Sequence, residues 1–342
     1  MDLKNLRLPG LNPSLIFNLR DCSFASDLFI AAVGHLDFFN RLDNNPMDLN
    51  SICRYFKIQA RPADVMLTLF KSYGFIFEKD GLFSVSKLAQ EYLSSGSFWD
   101  LSPYIGSLKD RPICLLMYEV FKTGKPAAWA GKKEGGEWKK EMEKDDFAGA
   151  FTAGMNSRGA YLARGIARKF NMKGFKKLLD IGGASGIYSI VFASVFGNLS
   201  ALVFDKPPVD KIAGNCIKKF ELEGRVKTAG GDFFKDEIPE GYDLHFLSHV
   251  LHDWDKEQAQ NLIVKSYKSL EKGGSIAIHD AHANRNKTGP VSVAEYSALL
   301  MFTTEGKCYS IGEMEVMLKL AGFRNIRHIH TILNRSIIVG RK

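Results

Sequence analysis

The spacing of apolar positions changes about halfway along the chain. In the first hundred residues they recur three and four apart, as in FASDLFIAAVGHLDFFNRL, where Phe24, Leu28, Ala31, Ala32, His35 and Phe39 share one helical face. A helix-turn-helix pattern follows. Asp48 can cap LNSICRYF, the turn is KIQ, and a second helix runs from about Arg61, with Pro62 in its first turn, to Tyr73 before Gly74. FIFEKDGLFSVS reads as two short strands around Lys79-Asp80-Gly81, which completes the outline of a winged helix. Residues 101–143 read as a loop or exposed helical connector with a solvated Lys/Glu run, and a helix from Phe147 leads onward.

From Lys176 the pattern becomes strands alternating with helices: KLLDIGG, SALVFD, VKTAGGDFF, YDLHFLSHV, SIAIHDAH, IRHIHTIL and SIIVGRK. This predicts an α/β domain with a mostly parallel, Rossmann-like sheet of seven strands. Too few residues separate the last two strands for a crossover helix, so they should form an antiparallel hairpin. The expected division is 1–103 for the helical domain and 104–342 for linker helices and the α/β domain.

Composition changes this picture little. Hydrophobic residues are 45% and charged residues 25% of the 342, ordinary for a globular protein. No apolar run is long enough for a membrane span, and the N-terminus lacks a secretory pattern, so a cytoplasmic location is expected. Five scattered cysteines, with no CxxC pair, suit reduced thiols better than disulfides or zinc. The net charge of +8 matters more for where it sits: residues 1–150 carry 19 basic and 19 acidic side chains, leaving 27 and 19 for the rest. A DNA-reading winged helix needs a basic surround, and here the second helix offers only Arg61, Asp64 and Lys71. Burial against a partner subunit is the better expectation.

In an open α/β sheet, ligands bind at the carboxyl ends of the strands. The first strand ends in Asp180-Ile181-Gly182-Gly183-Ala184-Ser185-Gly186, which no register converts to the G-x-G-x-x-G of dinucleotide enzymes. An acid at that strand end can hold an ammonium but would repel a pyrophosphate. Asp205 closes the second strand, nineteen residues after Gly186, where an acid accepts from ribose hydroxyls. The third strand ends in Gly231-Asp232-Phe233, an acid for an adenine amino group and an aromatic for its face. The fourth ends in Ser248-His249-Val250-Leu251-His252-Asp253-Trp254.

Together LLDIGGASG, the FD before Pro207, GDFF, SHVLHDWDKE and EKGGSIAIHD resemble the plant-type and bacterial small-molecule O-methyltransferases, the family of caffeate and hydroxyindole methyltransferases, over nearly the whole chain. The resemblance implies S-adenosylmethionine as cofactor, a homodimer through the N-terminal domain, and methylation of a small aromatic metabolite. It makes Asp180, Gly182 and Gly183 the turn under the methionine part, Asp205 the ribose acid and Asp232 with Phe233 the adenine pair. His252 becomes the general base and Asp280 the acid that orients it. Ser248 stands where plant members have an adenine-contacting lysine, and Cys308 where many have a second carboxylate; Glu305 is the nearest acid that could substitute. Met155, Leu299, Phe302 and Thr303 are the acceptor-pocket candidates, since mobile and aromatic side chains suit a flat ring.

A phenol ionises near pH 10, whereas an ordinary histidine accepts a proton at neutral pH, so a histidine base suits O-methylation. No metal is expected, because His249, His252, His279 and His282 offer no familiar ligand spacing. Methylation at carbon or nitrogen, an RNA methyltransferase, and a winged-helix regulator that senses the cofactor are the competing readings.

Overall fold

A computed structural model describes residues 7–127 and 144–342. Most of the Lys/Glu run lies outside the described residues. By compactness the chain divides into two units: the described residues of Pro13–Gly135 with Ala283–Ser310, and those of Gly136–His282 with Ile311–Lys342 and the short stretch before Pro13. Compactness therefore does not follow a linear boundary at 103/104, because residues 283–310 return to the helical unit.

In the helical unit the predicted first helix is two, Ala25–Gly34 and Phe38–Leu42, separated where Asp37 turns left-handed at φ 51°. Gly34 is the last residue of the first, and a Cβ there would sit 2.6 Å from Lys109 Cβ, so glycine lets the segments approach. The helix Leu49–Phe56 is capped as expected, with Ser51 N–H donating to Asp48 at 2.7 Å. Helix Ala60–Ser72 follows, then strands β1 (Ile76–Lys79) and β2 (Leu82–Val85) around Asp80 and Gly81, both at positive φ as a tight hairpin turn requires. Of the two alternatives at 101–143, Pro112–Thr123 takes the helical one, but half-buried rather than exposed: Met117, Val120 and Phe121 enter the core while Leu115 stays exposed, Pro112 starts it and left-handed Gly124 ends it.

Leu28, Ala31, Ala32, Phe38 and Phe39 fill this unit's own core together with Phe70, Met301 and Phe302. The apolar face shared by Phe24 to Phe39 is thus turned inward. The charged residues of helix 60–72 are turned inward too. Arg61 donates to the carbonyls of Met301, Thr304, Gly306 and Gly124 at 2.7–3.1 Å. Asp64 pairs with Lys287 and Lys307, and Lys71 with Glu78 and the Asn286 carbonyl. None of the three is displayed for reading a nucleic acid.

The α/β unit opens with helix Asp145–Lys169, whose two first-turn aspartates and last-turn Arg168 and Lys169 complement its dipole. Its sheet contains β3 (Lys177–Ile181), β4 (Ser200–Asp205), β5 (Val226–Gly230), β6 (Leu244–Ser248), β7 (Ser275–Asp280), β8 (Arg324–His330) and β9 (Ser336–Arg341), in the order β5-β4-β3-β6-β7-β9-β8. β3 to β7 are parallel, and the expected hairpin closes the sheet with β9 inserted antiparallel between β7 and β8. The order reverses between β3 and β6, so a crevice opens beyond their carboxyl ends. Among the described residues no helix is long and apolar enough to cross a membrane.

Candidate active site and cofactor cradle

The turn after β3 is built from small residues under steric demand. Gly182, Ala184 and Gly186 all have positive φ, between 49° and 72°. A Cβ on Gly182 would lie 2.8 Å from Val250 Cγ2 and 3.6 Å from Phe233 Cε1, while one on Gly183 would strike the Asp180 carboxylate and Val203 at 2.8 Å. Side chains at both positions would fill the cradle.

Asp180 lies beneath this turn, 1% exposed. Ser189 Oγ donates to its Oδ2 at 2.7 Å, and its Oδ1 is buried without a partner. Burial pushes its pKa up to about 7, against the opposing Ser189 hydrogen bond. Asp205 accepts from the N–H groups of Ala184 and Lys206 at 2.8 Å, and burial raises it to about 6. Asp232 accepts from Phe234 N–H at 3.0 Å, and Phe233 meets Trp254 edge-on. Ser248 spends its hydroxyl on His279 Nδ1, 2.9 Å away. An orphaned carboxylate oxygen, a glycine cradle and successive strand-end acids fit the ammonium, ribose and adenine of S-adenosylmethionine better than they fit a phosphate-bearing cofactor.

His252 follows β6 in the one-turn helix Leu251–Asp253, and Asp280 closes the neighbouring β7. His252 Nδ1 lies 2.6 Å from Asp280 Oδ1, which also accepts the Ala281 N–H at 2.8 Å. Four histidines crowd this end of the sheet, and electrostatics separates them. Burial lowers His279 to about 3 and His282 to about 4, and burial with the Arg158 charge holds His249 well below its ordinary range. For His252 burial acts the same way, but the Asp280 and Asp253 carboxylates outweigh it and raise the pKa above 6.5. Asp280, despite burial, is held well below its usual range by His252 and His249.

Asp253 is the participant that sequence reasoning passed over. Its Oδ1 lies 3.6 Å from His252 Nε2, on the side opposite Asp280, and burial pushes it up to about 6. The signal was present, since it is the residue after His252 in LHDW, but adjacency alone does not show which ring nitrogen a carboxylate faces.

His249, His252 and Asp280 bring ligand-type atoms within 4.8 Å of one another. The 2.6 Å contact among them is a hydrogen bond, closer than the ~3.4 Å separating two ligands of one tetrahedral zinc. The acceptor-pocket candidates are dispersed: Met155 is partly buried on helix 145–169, whereas Leu299, Phe302 and Thr303 lie on helix Val291–Thr303 of the helical unit. Phe302 is a core residue, 1% exposed and stacked on Phe24 at 4.3 Å. Thr303 Oγ1 donates to the Leu299 carbonyl. Cys308 is buried, with its N–H on Ser297 Oγ.

A reversed-order parallel sheet, a small-residue turn and acids closing its strands define a class I methyltransferase. The family model of the O-methyltransferase domain matches residues 117–324, and the chain belongs to that family. Its cofactor is S-adenosylmethionine and its activity O-methylation. A 3-hydroxy-5-methyl-1-naphthoate 3-O-methyltransferase of Streptomyces sahachiroi is 27% identical over 93% of this chain and 91% of its own. Among solved structures, an O-methyltransferase family 2 protein of Planctomyces limnophilus, crystallised with apigenin, superposes with a TM-score of 0.87, covering 100% of this chain and 99% of its own at 27% identity. Human N-acetylserotonin methyltransferase, solved with S-adenosylmethionine, shares the fold: TM-score 0.61 and 22% identity, covering 96% of each chain.

Proposed function

We propose that the chain methylates a hydroxyl of a small aromatic, phenolic or polyketide-like metabolite, with His252 as general base. The observation that carries this reading is the His252–Asp280 contact of 2.6 Å, in the only one of the four clustered histidines raised above 6.5. When bound, S-adenosylmethionine supplies an electrophilic methyl on its sulfonium. The protein's share is to hold the acceptor in line and to remove its proton. Asp280 fixes the tautomer with Nδ1 protonated, which leaves Nε2 to take the hydroxyl proton, and the same carboxylate stabilises the imidazolium that forms. Asp253, beside Nε2, adds to that stabilisation. The naphthoate specificity of the Streptomyces relative and the apigenin in the Planctomyces structure support a flat aromatic acceptor. Met155, Leu299 and Thr303 remain its proposed contacts; the ring of Phe302 is occupied by the core and would act by supporting them.

The cofactor assignments extend to Asp180 for the ammonium, Gly182 and Gly183 for the methionine turn, Asp205 for the ribose and Asp232 with Phe233 for the adenine. Ser248, bound to His279, backs that side without the charge of a lysine. Dimerisation through the winged-helix module is supported by Leu15, Ile16 and Leu19, 65–72% exposed on helix Ser14–Asp21, and by exposed Phe98, Trp99 and Tyr104. Five cysteines scattered along the chain, with no CxxC pair, are in keeping with a cytoplasmic setting.

The test is His252→Ala assayed on a panel of phenols, with S-adenosylhomocysteine binding followed by calorimetry. Turnover should fall about 10²- to 10⁴-fold, the usual contribution of a positioned base, with binding retained. Near-normal turnover would remove the base from the mechanism, and mass spectrometry locating the methyl on carbon or nitrogen would remove the acceptor class.

A further inference from the structure

We infer that Lys265 is a positioning residue for cofactor recognition, acting from behind the adenine-side loop; this rests on the proposed assignment of Asp232 and Phe233. Lys265 lies on helix Lys256–Ser269, and its side chain reaches back to the loop after β5. Its ammonium donates to three successive parts of that loop: the carbonyls of Phe233 at 2.8 Å, Phe234 at 3.2 Å and Asp236 at 2.6 Å. The loop has its own ties. Asp236 accepts the Asp232 N–H at 2.8 Å, and Asp232 accepts the Phe234 N–H at 3.0 Å. Those bonds shape the turn locally but do not attach it to the rest of the unit. Lys265 provides that attachment with all three of its donors, and charge-assisted bonds to carbonyls are among the stronger hydrogen bonds.

A second tie runs through the same chain segment. Trp254 meets Phe233 and Phe234 edge-on, with ring centroids 5.9 and 4.5 Å apart. Residues 251–269 therefore carry His252 at one end and grip the adenine-side loop at Trp254 and Lys265. A free loop would have to be ordered at the moment of binding, and pre-ordering it removes that cost from cofactor affinity. Lys265 contacts neither the reacting atoms nor the ring of Phe233, so its effect should fall on binding of the nucleoside and little on the chemical step.

The experiment compares Lys265→Met, Lys265→Gln and Lys265→Arg in the full chain. Calorimetry with S-adenosylhomocysteine and with adenosine measures affinity, and steady-state assays separate KM for the cofactor from kcat. Lys265→Met should weaken both ligands about tenfold and raise KM in parallel, with kcat at saturating cofactor changed less than threefold. Lys265→Arg should recover most of the affinity, and Lys265→Gln, the milder change, should fall between. Unchanged adenosine affinity in folded Lys265→Met or Lys265→Gln protein overturns the inference, as does a loss confined to kcat. Asp232→Asn and Phe233→Ala serve as the control: if these leave adenosine binding intact, the adenine assignment itself fails, whereas a loss there with none at Lys265 defeats only the role of the lysine.

Discussion

The two units bury aspartates to opposite ends. In the helical unit, burial would raise Asp64, but Lys307 and Lys287 outweigh it and hold the carboxyl down to about 2. In the α/β unit, Asp180 has a single hydroxyl partner and an orphaned oxygen, and burial carries it up to about 7. The first is a closed site, both carboxylate oxygens being answered by lysines of the same unit. The second is open by one ligand's worth of charge. Folding alone gives no reason to bury an unanswered carboxylate, which is in keeping with the ammonium proposed above for Asp180. Arg61 and Lys71 extend the closed pattern, which is why a helix that invites a DNA-binding reading is better understood as scaffold.

Breaking the closed network should be the most damaging to stability. Asp64→Ala leaves Lys287 and Lys307 facing each other in a partly buried site, and losing one partner of such a network costs about 3 kcal/mol. Calorimetric unfolding should show Tm lower by roughly 6–12 °C, with cofactor affinity in the folded protein little changed. A Tm within a degree of the parent would mean that this network is not a structural one.

Next in size is Asp280→Asn. It removes the main charge that raises His252 and leaves burial to dominate. In the proposed mechanism the active form is the neutral base, so in the parent the rate should fall toward acid with a midpoint above 6.5, and in the variant that midpoint should move below 6.5. The maximal rate should drop roughly tenfold to a hundredfold, the worth of one charge-assisted bond. Cys308→Ala should cost much less, because no charge is removed. A pH–rate profile of Asp280→Asn that superposes on the parent after scaling would separate Asp280 from the titration of His252.

The α/β half was legible in the sequence because short, near-continuous apolar runs alternating with helical stretches, and strand-end acids, are local signals, and each expected strand is present. Asp48 and the Asp80-Gly81 turn were readable for the same reason. The burial of helix 112–123 was not, although Pro112 and Gly124 bracket it, because ICLLMYEVF is apolar at most positions and the inward Cys114, Met117, Val120 and Phe121 do not stand out from exposed Leu115. The break in a continuous helical pattern falls at left-handed Asp37, beside Gly34, whose close approach to Lys109, some seventy residues away, no window of sequence contains. Among site residues, His252 and Asp280 stand on adjoining strand ends, which the parallel order anticipates. The inward turn of Phe302 and the setting of Asp253 against Nε2 depend on side-chain directions set by packing.

The smallest effect isolates the open side of the comparison. Asp180 ionises at about 3.8 when unfolded and about 7 when folded without ligand. The folded chain therefore binds the extra proton between those values, and stability falls as pH rises through that window, by an amount on the order of 4 kcal/mol at most. Other groups add their own slopes, so the informative quantity is a difference between variants. For the ligand-free parent, Tm should decline from pH 5 to pH 7.5, and in Asp180→Asn, which carries no titrating group there, the decline should be shallower. Saturating S-adenosylhomocysteine should flatten the parent's slope as well, because its ammonium would answer the charge that the fold leaves open. Equal slopes in parent and variant would mean that Asp180 ionises in the folded chain close to its unfolded value, its charge answered by a partner within the fold, and the contrast with Asp64 would then reduce to a difference in packing.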